Sequence, residues 1–261
     1  MLTLDDKMVW VNHVVDKITA KMDWVSAKSK NKIPYTTIDG EHDDRSVDNP
    51  THSADDGICW WTNGFWGGMM WQLYNATGEP KYKQIAEISE VKLDTCFLKF
   101  DGLHHDVGFM WLPTSVANYR LTGSPDSRNR ALHAANLLAG RYNPAGEFIR
   151  AWNDIEGEDT KGWAIIDCML NIPLLYWASK ETGDPRFRHI AMKHADTTMN
   201  SFVRPDGSVN HIVELDPAVG GVIKTYGGQG YKEGSSWTRG QSWALYGFMM
   251  SYNWTQKEEY L

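Results

Sequence analysis

The chain has 261 residues, of which 42% are hydrophobic, enough to bury a sizeable core. Its net charge is −7 and its sequence carries no basic stripe, which argues against nucleic acid and anionic membranes as partners. No linker rich in Pro, Gly or Ser divides the sequence, so residues 1–261 are predicted to form one domain.

The first residues lack a basic segment followed by an apolar run, and no stretch of the sequence is apolar over the length of a membrane span. We therefore expect a cytoplasmic protein. Cys59, Cys96 and Cys168 show no Cys-x-x-Cys spacing, which predicts buried, reduced thiols rather than disulfides or a zinc site.

Helical periodicity predicts a first helix over residues 5–27. Residues 28–58 are polar and contain several turn signals, which predicts a long surface loop. Helices then follow in pairs: 63–77 with 80–97, 108–122 with 126–141, and 163–182 with 185–203, before a last helix over 238–256. Residues 204–236 are rich in glycine, contain one extended run over 209–215, and are long enough to cover the mouth of a pocket.

The same turn follows the first helix of each pair. Gly78, Gly123 and Gly183 each come after a threonine, and a proline stands two residues later. Glycine suits a left-handed helix C-cap and proline suits the first turn of a new helix, so Thr-Gly-x-Pro predicts a helical hairpin. Irregularly spaced hairpins suggest a toroid with loops of differing length. Since the fourth turn, at Thr255, comes just before the sequence stops, we expect a ring that is incomplete at its C-terminus.

Four residues fall at nearly the same distance before the threonine of their hairpin turn: Trp61, Asp106, Asp167 and Arg239. If the first helices of the hairpins point the same way, these residues lie at one height and form one site. The N-termini of the helices converge there, each with roughly half a positive charge, so the pocket is expected to favour an anionic ligand.

Asp106 and Asp167 are the candidate acid–base residues. Asp167 is predicted to lie within a helix among Ile, Ile, Cys and Met. A carboxylate is costly to bury ionised in apolar surroundings, and the raised pKa that follows suits a general acid near neutral pH. The structural alternatives are that Asp106 is a helix N-cap and that Asp167 is a satisfied polar group of the core.

Other chemistry lacks support in the sequence. His104 and His105 precede Asp106, but adjacent side chains are expected to splay apart and no His-x-x-x-His spacing occurs, so no metal is predicted. No nucleotide-binding or nucleophile-elbow motif occurs in a strand-to-helix context, so no cofactor is predicted. The 13 tryptophans, several beside glycine, fit either a sugar-stacking cleft or a bulky helical core.

Four motifs together resemble the unsaturated glucuronyl hydrolases of glycoside hydrolase family 88; they lie at residues 61–66, 104–109, 165–171 and 236–243. The resemblance implies an all-α (α/α)6 barrel, a six-hairpin toroid. It also implies removal of a 4,5-unsaturated uronic acid from the non-reducing end of lyase-generated oligosaccharides. In such enzymes an aspartate protonates C4 of the enol ether and activates water at C5, and the hemiketal then opens.

The resemblance also implies roles for single residues. Asp167 matches the family's acid/base, and Asp106 matches a second essential aspartate that contacts the substrate ring. The positions that line the family's pocket are matched by Trp61, Trp152, His211, Gln229, Arg239 and Trp243, and His105 is a further candidate for substrate binding. The predicted partner is an unsaturated uronate-containing oligosaccharide, and the oligomeric state is left open.

Three alternatives stay open. An unsaturated rhamnogalacturonyl hydrolase would share the fold and the chemistry but act on pectin-derived substrates. An (α/α)6 sugar epimerase would use paired histidines, for which His105 and His211 are candidates. A non-catalytic sugar-binding fragment would bind the unsaturated sugar without consuming it.

Overall fold

The computed structural model describes residues 3–47, 57–99, 102–154 and 157–261. Contacts within the chain divide it into two compact units, Met1–Leu98 and Lys99–Leu261. The predicted surface loop over 28–58 lies in the first unit, and part of it, residues 48–56, falls outside the described residues. Within the described ranges, none of the helices is both long and apolar enough to cross a membrane.

The first unit is a long helix followed by a helical hairpin. Helix α1 begins behind a capping box in which Thr3 and Asp6 satisfy each other's backbone N–H groups. The elements of this unit are α1 Leu4–Lys28, β1 Thr37–Ile38, β2 Glu41–His42, α2 Asn63–Thr77, α3 Pro80–Leu93 and a 3-10 helix Asp94–Leu98. The predicted helix over 80–97 therefore ends four residues early as an α-helix and continues as a tighter 3-10 helix.

The second unit combines helices with short antiparallel strands. Strands β3 and β4 form a hairpin, and β5, β6 and β7 form a three-stranded sheet in that order. The elements are α4 Val107–Trp111, a π-helical segment Leu112–Val116, α5 Ala117–Thr122, α6 Pro125–Gly140, β3 Tyr142–Asn143, β4 Phe148–Ile149, β5 Trp163–Ile165, a 3-10 helix Ile166–Leu170, α7 Pro173–Thr182, α8 Pro185–Phe202, β6 Ile212–Leu215, β7 Val222–Tyr226, α9 Thr238–Thr255 and a 3-10 helix Glu258–Tyr260.

The structure confirms the hairpin turns. Gly78, Gly123 and Gly183 are left-handed C-caps with φ of 73°, 74° and 74°, and a proline opens the helix that follows each one. At the fourth turn Gln256 takes the left-handed conformation instead, with φ of 59°. In all four turns the threonine hydroxyl accepts a hydrogen bond from the backbone N–H two residues later, at 3.2 Å, which closes the turn.

One predicted helix is wrong over residues 163–170. Trp163–Ile165 is a strand that pairs with β6, and Ile166–Leu170 is a 3-10 helix, so α7 begins only at Pro173. The apolar run suits a buried strand as well as a helix, and pairing with β6 decides between them. Pro173, which favours the first turn of a helix, was the local signal for the later start.

The predicted helix over 108–122 is interrupted by a π-helical segment at Leu112–Val116. Pro113 lies within it and has no N–H to donate to the preceding turn, so the ladder of hydrogen bonds must adjust there. The Thr114 hydroxyl donates to the Met110 carbonyl oxygen at 2.6 Å, within the same turn. Helix α4 therefore continues into α5 and carries Asp106 at its start.

Candidate functional site

Asp167 is positioned by the three-stranded sheet. It follows β5 as the second residue of the 3-10 helix Ile166–Leu170, so it is not the mid-helix residue that the sequence predicted. Because β5 pairs with β6, the Ile166 N–H donates to the carbonyl oxygen of His211 at 3.1 Å. This pairing brings Nε2 of the buried His211 to 3.6 Å from Oδ2 of Asp167.

The orientation of His211 is set by the loop that follows β7. The backbone N–H of Gln229 donates to His211 Nδ1 at 2.9 Å, so Nδ1 is the acceptor and the neutral ring carries its hydrogen on Nε2. That N–H is directed at the Asp167 carboxyl group. The Trp237 ring packs on the imidazole, with the ring centroids 4.3 Å apart.

A glycine allows the loop to come this close. Gly228 has φ of +53°, and a Cβ atom there would overlap Nδ1 of His211. We expect Gly228→Ala to displace His211 and to lower kcat by about 10²-fold, because small misplacements near reacting groups cost that much. Gly221→Ala is the matched control, since Gly221 also has positive φ but open space around it. Equal kcat values for the two variants would contradict the prediction.

Asp106 occupies the N-cap position of α4, but its side chain makes no capping hydrogen bond. The side chain is buried and faces three polar groups instead. Oδ2 lies 3.4 Å from His104 Nδ1, Oδ1 lies 3.2 Å from His105 Nε2, and Oδ1 lies 3.3 Å from Nδ2 of Asn171. The alternative that Asp106 is a helix N-cap is therefore right about its position, but its carboxyl group does not cap the helix.

The hydrogen bonds of His105 define how it meets Asp106. Its Nδ1 is 2.7 Å from the carbonyl oxygen of Ala151, which can only accept, so Nδ1 carries the hydrogen. The neutral ring then presents the Nε2 lone pair to Asp106 Oδ1. A lone pair facing an ionised carboxylate is repulsive, whereas a protonated carboxyl group donates a hydrogen bond to Nε2.

The pKa values agree with a proton on Asp106. Burial raises the pKa of Asp106 from 3.8 to about 6, with a smaller contribution from the charge of Asp167. Burial also lowers the pKa of His104 and of His105 to about 4. Between these values the carboxyl group is neutral and both imidazoles are neutral, which is the state that the geometry of His105 favours.

Helix α9 contributes residues to the same region. Cβ atoms at Gly240 and Gly247 would press on Ile166 and Met169, so these glycines let α9 lie close against the 3-10 helix of Asp167. Arg239 donates to Oε1 of Gln229 at 3.0 Å, and its guanidinium lies 4.2 Å from the centre of the Trp237 ring. The Trp243 ring packs on Phe109 of α4, at 5.4 Å between centroids.

The second unit thus holds eight of the nine predicted site residues, seven of them in two contact groups that Asn171 links, and Trp243 on Phe109. Contacts join Asp106 to His105, His105 to Trp152, Asp167 to His211, and Gln229 to both His211 and Arg239. Trp61 belongs to the first unit, where its ring packs edge-on against Phe65 at 5.5 Å. Its place in the pocket stays a prediction.

Sequence reasoning assigned no role to Asn171, Trp237 or Arg141. Asn171 and Trp237 stand inside the motifs at 165–171 and 236–243, which was the available signal. Arg141 donates to the Arg150 and Ala151 carbonyl oxygens at 2.9 and 3.2 Å and to Asn153 Oδ1 at 2.8 Å. It therefore supports the Ala151 carbonyl that orients His105.

The expectation that His104 and His105 splay apart is wrong. Their rings stack at 5.2 Å between centroids, and with Asp106 they offer three possible ligand atoms within 4.8 Å of one another. His105 Nε2 and Asp106 Oδ1 are already at hydrogen-bond distance, and burial holds both histidines neutral. These observations describe a close cluster of two neutral imidazoles and one carboxyl group, and we do not assign a metal to it.

Several buried polar atoms at the site have no hydrogen-bond partner among the described residues. They are His104 Nδ1, His105 Nε2, Asp167 Oδ2, His211 Nε2 and Trp243 Nε1. Unpaired buried polar groups are costly, so a cluster of them indicates a place where a polar ligand supplies the partners. A cavity of about 320 Å³ between α8 and α9 contains none of these atoms and is not assigned to the site.

The sequence matches the model of Glycosyl Hydrolase Family 88 over residues 25–259. It is 39% identical over 200 residues to the unsaturated chondroitin disaccharide hydrolase of Streptococcus pyogenes serotype M1, covering 76% of this chain and 50% of the relative. It is 38% identical over 192 residues to the unsaturated glucuronyl hydrolase of Bacillus sp. strain GL1, covering 73% and 51%. The chain therefore spans about half the length of these relatives.

Solved structures show the same similarity. The crystal structure of the Bacillus sp. GL1 unsaturated glucuronyl hydrolase, described as responsible for glycosaminoglycan degradation, superposes with a TM-score of 0.79 at 32% identity, over 90% of this chain and 60% of that one. A Streptococcus agalactiae mutant complexed with dGlcA-GalNAc6S gives 0.71 at 28% identity, over 100% and 60%. The predicted all-α (α/α)6 fold class is confirmed.

Proposed function

Because the chain belongs to glycosyl hydrolase family 88, we propose that it carries the catalytic aspartates of an unsaturated glucuronyl hydrolase. Its reaction removes the 4,5-unsaturated uronic acid from the non-reducing end of lyase-generated oligosaccharides. The observation that carries the proposal is that the separate segments of Asp106 and Asp167 meet at Asn171, close enough for the charge of Asp167 to act on the Asp106 carboxyl group. A cluster of unpaired buried polar atoms surrounds them and suits a sugar ring.

The proposed chemistry is hydration of the enol-ether double bond. Asp167 transfers a proton to C4, and positive charge develops at C5, where water activated by Asp167 then adds. The hemiketal formed at C5 opens to a ketone and leaves the former ring oxygen as a hydroxyl group on C1. The resulting hemiacetal at C1 collapses to an aldehyde, which breaks the glycosidic bond and releases the rest of the oligosaccharide as an alcohol. In this mechanism Asp106 faces the same ring, and its ionised carboxylate stabilises the developing charge.

The substrate is an anion, and the groups near Asp167 suit one. Arg239 extends from the start of α9, bonded to Gln229 Oε1 and stacked on Trp237, and we assign it to the uronate carboxylate. Trp152 and Trp243 offer apolar surface for the sugar ring. The similarity to proteins named for chondroitin disaccharides and for glycosaminoglycan degradation favours glycosaminoglycan-derived substrates over pectin-derived ones.

The test is turnover on a panel of unsaturated disaccharides from chondroitin, heparin and rhamnogalacturonan, followed by loss of the ultraviolet absorbance of the conjugated acid. We expect loss of absorbance with the glycosaminoglycan disaccharides. Turnover of the rhamnogalacturonan disaccharide alone would move the protein to the rhamnogalacturonyl class. Binding without loss of absorbance would support a sugar-binding fragment, and isomerisation of a saturated sugar would support an epimerase.

A further inference from the structure

Asn171 stands where the two aspartate-bearing segments meet. It follows the 3-10 helix of Asp167, is fully buried, and donates its own backbone N–H to the Cys168 carbonyl oxygen at 2.8 Å. Its side chain reaches the start of α4, which carries Asp106, and also contacts the backbone of the 3-10 helix.

The side-chain oxygen of Asn171 caps helix α4. The Phe109 N–H donates to Oδ1 at 2.7 Å, and this N–H belongs to the first turn, where no carbonyl of the helix itself is available. Asp106 holds the N-cap position without bonding to the turn, so the cap comes from a residue 62 positions away in sequence.

This hydrogen bond also determines which way the amide faces. Since the Phe109 N–H is a donor, the atom opposite it must be oxygen, and Nδ2 must point the other way. Nδ2 then lies 3.3 Å from Asp106 Oδ1 and 3.3 Å from the Asp167 backbone carbonyl oxygen. The Asn171 amide thus contacts both aspartates: it reaches the side chain of Asp106 and the backbone carbonyl of Asp167.

The packing around Asn171 is equally close. A Cβ atom at Gly108 would overlap Cα of Asn171 and lie 2.7 Å from Oδ1. Only glycine lets α4 approach the asparagine this closely, so the backbone of α4 rests directly on Asn171. The distance between the two segments is therefore set by this contact.

We propose that Asn171 is a positioning residue that fastens the segment of Asp106 to the segment of Asp167 and directs a hydrogen-bond donor at the Asp106 carboxyl group. The expected effect of Asn171 on turnover rests on the proposed function, whereas its expected effect on the pKa of Asp106 does not.

The proposal has a consequence for the titration of Asp106. The donor from Asn171 favours the ionised carboxylate and opposes the rise in the pKa of Asp106 that burial causes. The other titratable or charged groups that act on this carboxyl group, among the described residues, are His104, His105, Asp167, Arg141 and the buried thiol of Cys168. Loss of the donor leaves those groups in place, so the pKa of Asp106 is expected to move further upward.

Asn171→Asp tests this with little change of shape, because it keeps an oxygen for the Phe109 N–H and replaces the donor by a second oxygen. The titration of Asp106 is followed by NMR with ¹³C-labelled aspartate side chains, and its carboxyl resonance is identified as the one that disappears in Asp106→Asn. We expect the pH midpoint of this resonance to rise by about 1 pH unit or more in Asn171→Asp. With an unsaturated chondroitin disaccharide, the pH profile of kcat should shift in the same direction. Asn136→Asp, at a residue on α6, is the control for added charge.

Asn171→Ala, which removes both hydrogen bonds without adding charge, is the second variant and should also raise the midpoint. An unchanged Asp106 midpoint in Asn171→Ala would overturn the proposal, because the charge added in Asn171→Asp raises the midpoint even if the donor has no effect. Loss of folding in both variants would also overturn it, because Asn171 would then serve the fold as a whole. If the parent chain turns over no disaccharide, the proposed function fails, but the carboxyl titration still decides the role of Asn171.

Discussion

Asp167→Asn is expected to lower kcat by about 10²–10⁴-fold, the range over which a positioned acid or base contributes. Asparagine keeps the size of the side chain but cannot deliver a proton to C4 or accept one from water. Substrate binding and the fold should change little, because Oδ2 of Asp167 is buried without a hydrogen-bond partner among the described residues. Turnover is followed by the ultraviolet absorbance of the unsaturated acid, and binding by calorimetry.

Asp126→Asn is the matched control for this variant. Asp126 lies exposed in the first turn of α6, and its replacement removes the same charge from the same unit. It should leave kcat unchanged. Full activity in Asp167→Asn would show that another group is the acid, and a loss of binding equal to the loss of kcat would point to a role in holding the substrate.

Asp106→Asn is expected to stabilise the protein above pH 6 by up to about 3 kcal/mol, since each pKa unit corresponds to about 1.4 kcal/mol. Burial raises the pKa of Asp106 from 3.8 to about 6 in the folded state. Between these values the folded chain binds more protons than the unfolded chain, so stability falls as pH rises through this window. Above pH 6 the full cost of the buried charge is present, and asparagine removes it.

The measurement is denaturant unfolding of the parent chain and of Asp106→Asn at pH 4 and at pH 8. The free energies of unfolding should differ more at pH 8 than at pH 4, where Asp106 is largely protonated and resembles asparagine. Asp126→Asn, at an exposed carboxyl group, should show no such change with pH. A difference that is the same at both pH values would mean that burial does not perturb Asp106.

The same substitution should lower turnover, because the ring would lose the carboxylate that faces it in the proposed complex. If Asp106→Asn is more stable but less active, then the buried Asp106 carboxylate lowers the stability of the protein and is needed for its activity. His104, His105 and Asn171 are the groups that define this environment, and none of them titrates near pH 7 in the folded protein.

Local sequence was sufficient for the hairpins. The left-handed conformation at Gly183 and the helix start at Pro185 follow from the backbone freedom of glycine and the fixed φ of proline, which act within four residues. The same reasoning succeeded at Gly78 and Gly123. At Gln256 no glycine is present, yet the Thr255 hydroxyl still closes the turn with the Lys257 N–H.

Local sequence failed where strand pairing decides. Residues 163–170 have an apolar pattern that suits a helix, but β5 forms because β6, nearly fifty residues later, supplies its partner. The argument that placed Asp167 at the height of the other site residues assumed a helix over 163–170, where the structure has a strand and a 3-10 helix. The role of Asp167 as the acid therefore stays a prediction that rests on motif similarity. The nearness of Asp167 to Asp106 arises from the sheet, from α9 and from Asn171.

The amino-acid sequence by itself determined the helical hairpins, the family, and the two aspartates as candidates, because caps, turns and motifs act over a few neighbouring residues. Only the tertiary structure decided the surroundings of those aspartates. Burial raises the pKa of Asp106, the Ala151 carbonyl keeps the hydrogen of His105 on Nδ1, and the Gln229 N–H turns the Nε2–H of His211 toward Asp167. These contacts join residues far apart in the chain, and burial and hydrogen-bond geometry exist only once the chain is folded.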